Sequence, residues 1–181
     1  MERLIREKAD LLIEKNELMK LLAKYGKVHL VGSYRMQTMA WNDLDFYIET
    51  SDFDSELYCA AAAELITRLA PVRFDGINHA EKKQLFLGLE VMEVGQRWNI
   101  DIWWKEKAEI DAVIAYEDEL IERMQEHPEL KNAVVSIKKE LIVRRLYGMD
   151  KGKKHFHSND IYDAVLEKGI LTLEQFLKCN I

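Results

Sequence analysis

Apolar positions in the first two dozen residues recur near every 3.6: Leu4, Ile5, Leu11, Leu12, Leu18, Leu21 and Leu22. That spacing predicts an amphipathic helix from Glu2 to about Tyr25, with Lys and Glu on its outer face. Gly26 ends it. Val28-His29-Leu30-Val31 then reads as a short buried strand, broken by Gly32-Ser33. After a turn or short helix through Met39, Leu44-Asp45-Phe46-Tyr47-Ile48 reads as a second strand. Thr50-Ser51-Asp52 offer N-cap oxygens for a helix from about Phe53 to Leu69, which Pro71 closes. Three strand-like pieces follow, Val72–Phe74, Gln84–Met92 and Trp98–Trp104, the last two forming a hairpin around Gly95-Gln96. Helical periodicity takes over in Ala108–Glu126, Glu129–Tyr147, Asn159–Lys168 and Leu173–Lys178. The pattern predicts an α+β protein. A small mixed sheet flanked by helices spans residues 1–105, and a C-terminal helical lobe spans 106–181.

Composition narrows this picture. In 181 residues, 48% are apolar, enough to bury a core without disulfides or structural metal. Cys59 and Cys179 lie far apart with no CxxC spacing, as expected of incidental thiols in a reducing compartment. No apolar stretch approaches the roughly 20 residues that span a bilayer, and the N-terminus lacks a signal-peptide core. A cytoplasmic protein without membrane contact is expected. The net charge of −6 argues against a general nucleic-acid binder and suits a cationic small-molecule acceptor.

Candidate chemistry gathers on the second strand. Side chains two apart point to the same face, so Asp43 and Asp45 project together while Leu44 and Phe46 turn inward. Paired carboxylates repel unless a divalent cation lies between them, and Mg²⁺ takes one or two carboxylates together with substrate phosphates. Asp101, a lone charge within Trp98-Asn99-Ile100-Asp101-Ile102-Trp103-Trp104, is the third candidate. On a neighbouring strand it would complete a two-metal site, which activates an attacking hydroxyl and steadies a leaving pyrophosphate. Gly32 lets backbone approach a phosphate, and the Ser33 hydroxyl can donate to it.

Apolar strand, Gly32-Ser33, the nine residues Tyr34 to Asn42, then Asp43-Leu44-Asp45-Phe46: this order resembles the nucleotidyltransferase superfamily typified by DNA polymerase β. The resemblance covers about the first hundred residues and puts that family's third carboxylate at Asp101, as metal ligand or as general base. It implies two Mg²⁺ ions and ATP or another NTP as donor, held by Gly32, Ser33 and Arg35. The C-terminal helices, with Ser158-Asn159-Asp160-Ile161-Tyr162-Asp163, look like the lobe of small aminoglycoside and lincosamide nucleotidyltransferases. That likeness implies a small-molecule hydroxyl acceptor. Two alternatives stand beside it: an antitoxin-like nucleotidyltransferase acting on a protein or RNA, and a non-catalytic nucleotide-binding module.

Several features have blander readings. Arg35 either reaches a triphosphate or caps a surface helix. Lys138, Lys139, Arg144 and Arg145 form a solvated helix face unless one grips the γ-phosphate. The basic stretch from Lys151 to His157 is an ordinary loop or a segment closing over phosphates. His155 and His157 lack a second ligand pair for zinc. Trp98, Trp103 and Trp104 mean core packing unless one lines a pocket.

Overall fold

The computed structural model describes residues 2–93, 95–148 and 155–180. The chain divides into two compact units, Met1–Glu117 and Asp118–Ile181. Of the basic stretch from Lys151 to His157, residues 151–154 lie outside the described ones.

In the first unit the predicted long N-terminal helix is two helices, α1 (Glu2–Lys15) and α2 (Leu18–Leu22). The break falls where Asn16 turns its side-chain amide back onto the Leu12 carbonyl at 3.0 Å and Glu17 takes a left-handed φ of 48°. Side-chain bonding to the helix's own carbonyls offers the backbone an alternative to continuing the helix.

The sheet has five strands in the order β1-β2-β5-β4-β3: β1 (Lys27–Val31), β2 (Asp43–Glu49), β3 (Arg73–His79), β4 (Gln84–Glu93) and β5 (Gln96–Lys105). Only the central β2–β5 pairing is parallel among these strands. A four-residue helix, α3 (Gly32–Arg35), separates β1 from β2. Helix α4 (Ser55–Leu69) follows β2 and is capped by Asp54, whose carboxylate accepts from the Glu56 N–H at 2.7 Å. The cap thus lies two residues beyond the Thr50–Asp52 run. Edge strand β3 runs five residues past its predicted end, because its polar Asp75-Gly76 and Asn78-His79 conceal the strand period.

Alternation along the strands gives the sheet two unlike faces. Leu44, Phe46, Ile48, Leu87, Leu89, Ile100, Ile102 and Trp104 are buried on one, in a core shared with Ala9, Leu12, Leu21, Ala61 and Leu65 of the helices. Trp104 meets Tyr58 edge-on with ring centroids 5.4 Å apart. On the other face, Asp43, Asp45, Asn99, Asp101 and Trp103 remain partly exposed. Helix α5 (Lys107–Glu126) follows β5.

The second unit is helical: α6 (Pro128–Val143), α7 (Ser158–Tyr162), a π-helical turn over 163–167, and α8 (Leu173–Asn180). Helix α6 ends before Tyr147, since Arg145 is left-handed at φ 56°. Phe156 and Phe176 pack edge-on at 4.9 Å. Lys138, expected on a solvated face, is 1% exposed; its ammonium donates to the Tyr162 hydroxyl at 2.8 Å and sits 4.5 Å above that ring. No described helix is long and apolar enough to cross a membrane.

Candidate active site

Sheet register brings the three aspartates of the sequence pattern to one face. Asp45 lies opposite Asp101 across the parallel β2–β5 pair, and Asp43 lies opposite Asn99. Partners in register share a face, so the Asp45 and Asp101 carboxylates stand side by side, with Asp43 one pleat repeat away. On its other flank Asp45 opposes Val31, the last residue of β1.

Gly32 follows at once, with φ 72°, and a Cβ built there would overlap Asp45 Oδ2. Glycine is required twice here: the backbone is left-handed, and the carboxylate fills the space of the missing side chain. The Gly32-Ser33 turn and the carboxylate pair are therefore packed against each other.

Glu117 of α5 belongs to the same cluster and carries no signal in the sequence pattern. It is 4% exposed; its Oε1 accepts the Gly32 N–H at 2.6 Å, and its Oε2 lies 3.4 Å from Arg35 Nη1. The Gly32 amide, expected to face a phosphate, is committed to this carboxylate. Arg35 is likewise turned to Glu117. Within the acidic run Glu117-Asp118-Glu119, one acid looks like any other solvated residue, and nothing in the pattern singles it out. Burial, followed by the charges of Asp45, Glu117 and Glu109, holds the Tyr47 phenol above its ordinary pKa.

A fourth aspartate completes the row Asp75–Gly88–Asp101–Asp45 across the sheet. Gly88 has no side chain to separate its neighbours, and a Cβ there would come within 2.7 Å of Asp75 Oδ1. Burial, and then the charge of Asp75, push the Asp101 carboxyl up to about 6. One pleat repeat further along, Phe86 and Trp103 pack with centroids 4.4 Å apart, and the Lys105 ammonium lies 5.5 Å from the Trp103 ring. Of the tryptophans, Trp98 and Trp104 are core, whereas Trp103 lies on the site face.

An all-oxygen, acidic donor set suits Mg²⁺. Among the described residues no three acidic, histidine or cysteine side chains are already drawn together tightly enough to hold a metal alone. Mg²⁺ commonly completes its shell with water and substrate phosphate, so two carboxylates with a triphosphate suffice. The raised Asp101 and the contact of Asp45 with Gly32 fit a site whose charge a cation neutralises.

No protein-family model and no curated protein matches the sequence. Solved structures do. The polymerase core of TRAMP, an RNA surveillance complex, is 18% identical with a TM-score of 0.61, covering 88% of this chain and 49% of that one. The Cid1 poly(U) polymerase with Mg and 3′-dATP bound is 12% identical with a TM-score of 0.56, covering 79% and 43%. The non-canonical poly(A) polymerase complex GLD-2–GLD-3 is 13% identical with a TM-score of 0.62, covering 93% and 55%. The chain shares the fold of these polymerases and spans about half their length.

Proposed function

We propose that the chain is a metal-dependent nucleotidyltransferase that moves a nucleoside monophosphate from an NTP, ATP in our reading, to a hydroxyl. The observation that carries this is the packing of Gly32 against Asp45 with Asp101 directly opposite Asp45 on the next strand. Asp43 and Asp45 would hold Mg²⁺, and Asp101 would complete a second ion's site or take the acceptor proton. When bound, the ions would screen the triphosphate and favour both the attacking and the departing oxygen.

The chain's own residues do the rest. Asp101, with its carboxyl near 6, is mostly ionised at neutral pH and able to accept the hydroxyl proton. The acceptor oxygen bonds to the α-phosphorus, the bond from that phosphorus to the bridging oxygen breaks, and pyrophosphate leaves. Ser33 steadies the β- and γ-phosphates through its hydroxyl. With the Gly32 amide held by Glu117, that task falls to Ser33 and the amides after it.

The acceptor we adopt is the 3′-hydroxyl of a single-stranded RNA, because the structures of like fold include RNA terminal uridylyl transferases. The net charge of −6 bears on indiscriminate duplex binding and is compatible with holding one end through a few phosphates. A cationic small molecule is the second reading, favoured by Asp75 reaching over Gly88 toward Asp101. Incubation with α-labelled ATP, Mg²⁺, an RNA oligonucleotide and a panel of aminoglycosides and lincosamides separates the two. Label on the RNA supports the first, label on an antibiotic supports the second, and absence of any transfer removes the catalytic reading.

A further inference from the structure

At the start of β2, two residues before Asp43, Trp41 borders a cavity of about 460 Å³. Leu4, Ile5 and Lys8 of α1, Asn42, and Arg97 of β5 also line it. The volume falls within the ~300–1,000 Å³ typical of small-ligand sites.

The loop is fixed in place. Asn42 donates through Nδ2 to Gln96 Oε1 at 3.2 Å and to the Arg97 carbonyl at 3.0 Å, and its own carbonyl accepts the Asn99 N–H at 3.0 Å. Trp41 is nonetheless 37% exposed, an aromatic face kept partly in water by a rigid loop. Two cations line the same cavity. Arg97 uses one guanidinium nitrogen on Glu90 at 3.0 Å and retains other donors, while Lys8 is half-buried and has no ion pair among the described residues. In a chain of net charge −6, an aromatic ring sharing a cavity with two cations is locally out of character.

Stacking on an aromatic ring beside cations is how proteins hold unpaired nucleotides without reading their sequence. Asp43 Cα is at most about 7.6 Å from Trp41 Cα, given 3.8 Å per residue step. A chain bound here is therefore within about one nucleotide of the catalytic aspartates.

We infer that this cavity is an acceptor subsite: it takes a nucleotide near the 3′ end of single-stranded RNA, its base on Trp41 and its phosphates on Lys8 and Arg97. The inference rests on the RNA reading above and names how that acceptor is held. Only about two phosphates are gripped, so log affinity against log salt should have a slope near −1.4, at about −0.7 per phosphate on a single strand.

The test uses the full chain and a fluorescein-labelled single-stranded RNA hexamer, first without NTP or Mg²⁺ and then in labelled-ATP transfer. Trp41→Ala should weaken hexamer binding about tenfold. Lys8→Gln, which keeps a polar side chain of similar reach at this half-buried position, should flatten the salt slope by about 0.7. Failure of the wild type to bind the hexamer overturns the subsite, as does unchanged binding by both variants. Competition of free ATP for the Trp41-dependent signal assigns the cavity to the donor base and also overturns it. Trp41-dependent binding without any transfer upholds the subsite and sinks the catalytic reading. Transfer indifferent to Trp41 does the reverse.

Discussion

Replacing Asp45 by Asn keeps the size of the side chain against Gly32 and removes the charge that would hold a cation. Metal-borne stabilisation is commonly worth several kcal/mol, so Asp45→Asn should lower the transfer rate by on the order of 10³-fold, measured with labelled ATP under saturating Mg²⁺. Asp101 gives a prediction that needs no substrate. Its folded pKa, about 6, lies above the unfolded value near 3.8, so the native state holds its proton longer than the unfolded chain does. Its contribution to stability is complete below pH ~4 and is lost as pH rises through about 6. In metal-free solution Asp101→Asn should therefore be more stable than wild type at pH 7–8, by about 1–3 kcal/mol, and equal to it near pH 4. Urea midpoints at the two pH values check the sign; a mutant less stable at pH 8 contradicts it. Gly32→Ala should cost about 1–3 kcal/mol, since it forces a side chain into left-handed backbone and displaces the Asp45 carboxylate.

Helix α5 fastens the Gly32-Ser33 turn through Glu117. Glu117→Ala leaves the Gly32 N–H without its buried acceptor and should destabilise the chain by about 1–3 kcal/mol in urea unfolding. Glu117→Gln can still accept that hydrogen bond and should recover much of the loss; equal damage from both would mean the charge near Arg35 is what counts. This bond also marks how far the sequence could be read. The strands of the site were legible because Leu44, Phe46, Ile100 and Ile102 alternate with acids, and alternation survives in a half-buried sheet. The pairing of β2 with β5, which sets Asp45 opposite Asp101, follows from the path of the intervening chain, and no local pattern encodes it. Glu117 was illegible for a related reason: its role depends on a partner 85 residues away. The break at Glu17 and the extension of β3 to His79 were hidden by polar residues that serve equally in turns and at sheet edges.

At the scale of the whole molecule, charge sets the terms of any encounter with RNA. A chain at −6 has little long-range attraction for a polyanion, and the gap between binding and release is left to a few local contacts. Acceptor should dissociate after each addition. Extension of a labelled hexamer is expected to give products longer by one or a few nucleotides, spread evenly over the population on a sequencing gel. A minority of very long products beside untouched primer would contradict this. The helical unit contributes a buried cation of its own, Lys138 on Tyr162, in a segment that otherwise reads as a solvated face.

The hydrogen bond from Gly32 to Glu117 also makes the site observable. An amide proton lying 2.6 Å, nitrogen to oxygen, from a buried carboxylate is shielded from water and strongly polarised. Its resonance should fall downfield of the chain's other glycines and exchange slowly with deuterium. Gly32 touches Asp45 directly, so neutralising that carboxylate with a cation must change the field at this proton. A single peak in a ¹⁵N-glycine spectrum would then report on occupancy of the neighbouring aspartates, with no acceptor, no turnover and no label on the nucleotide.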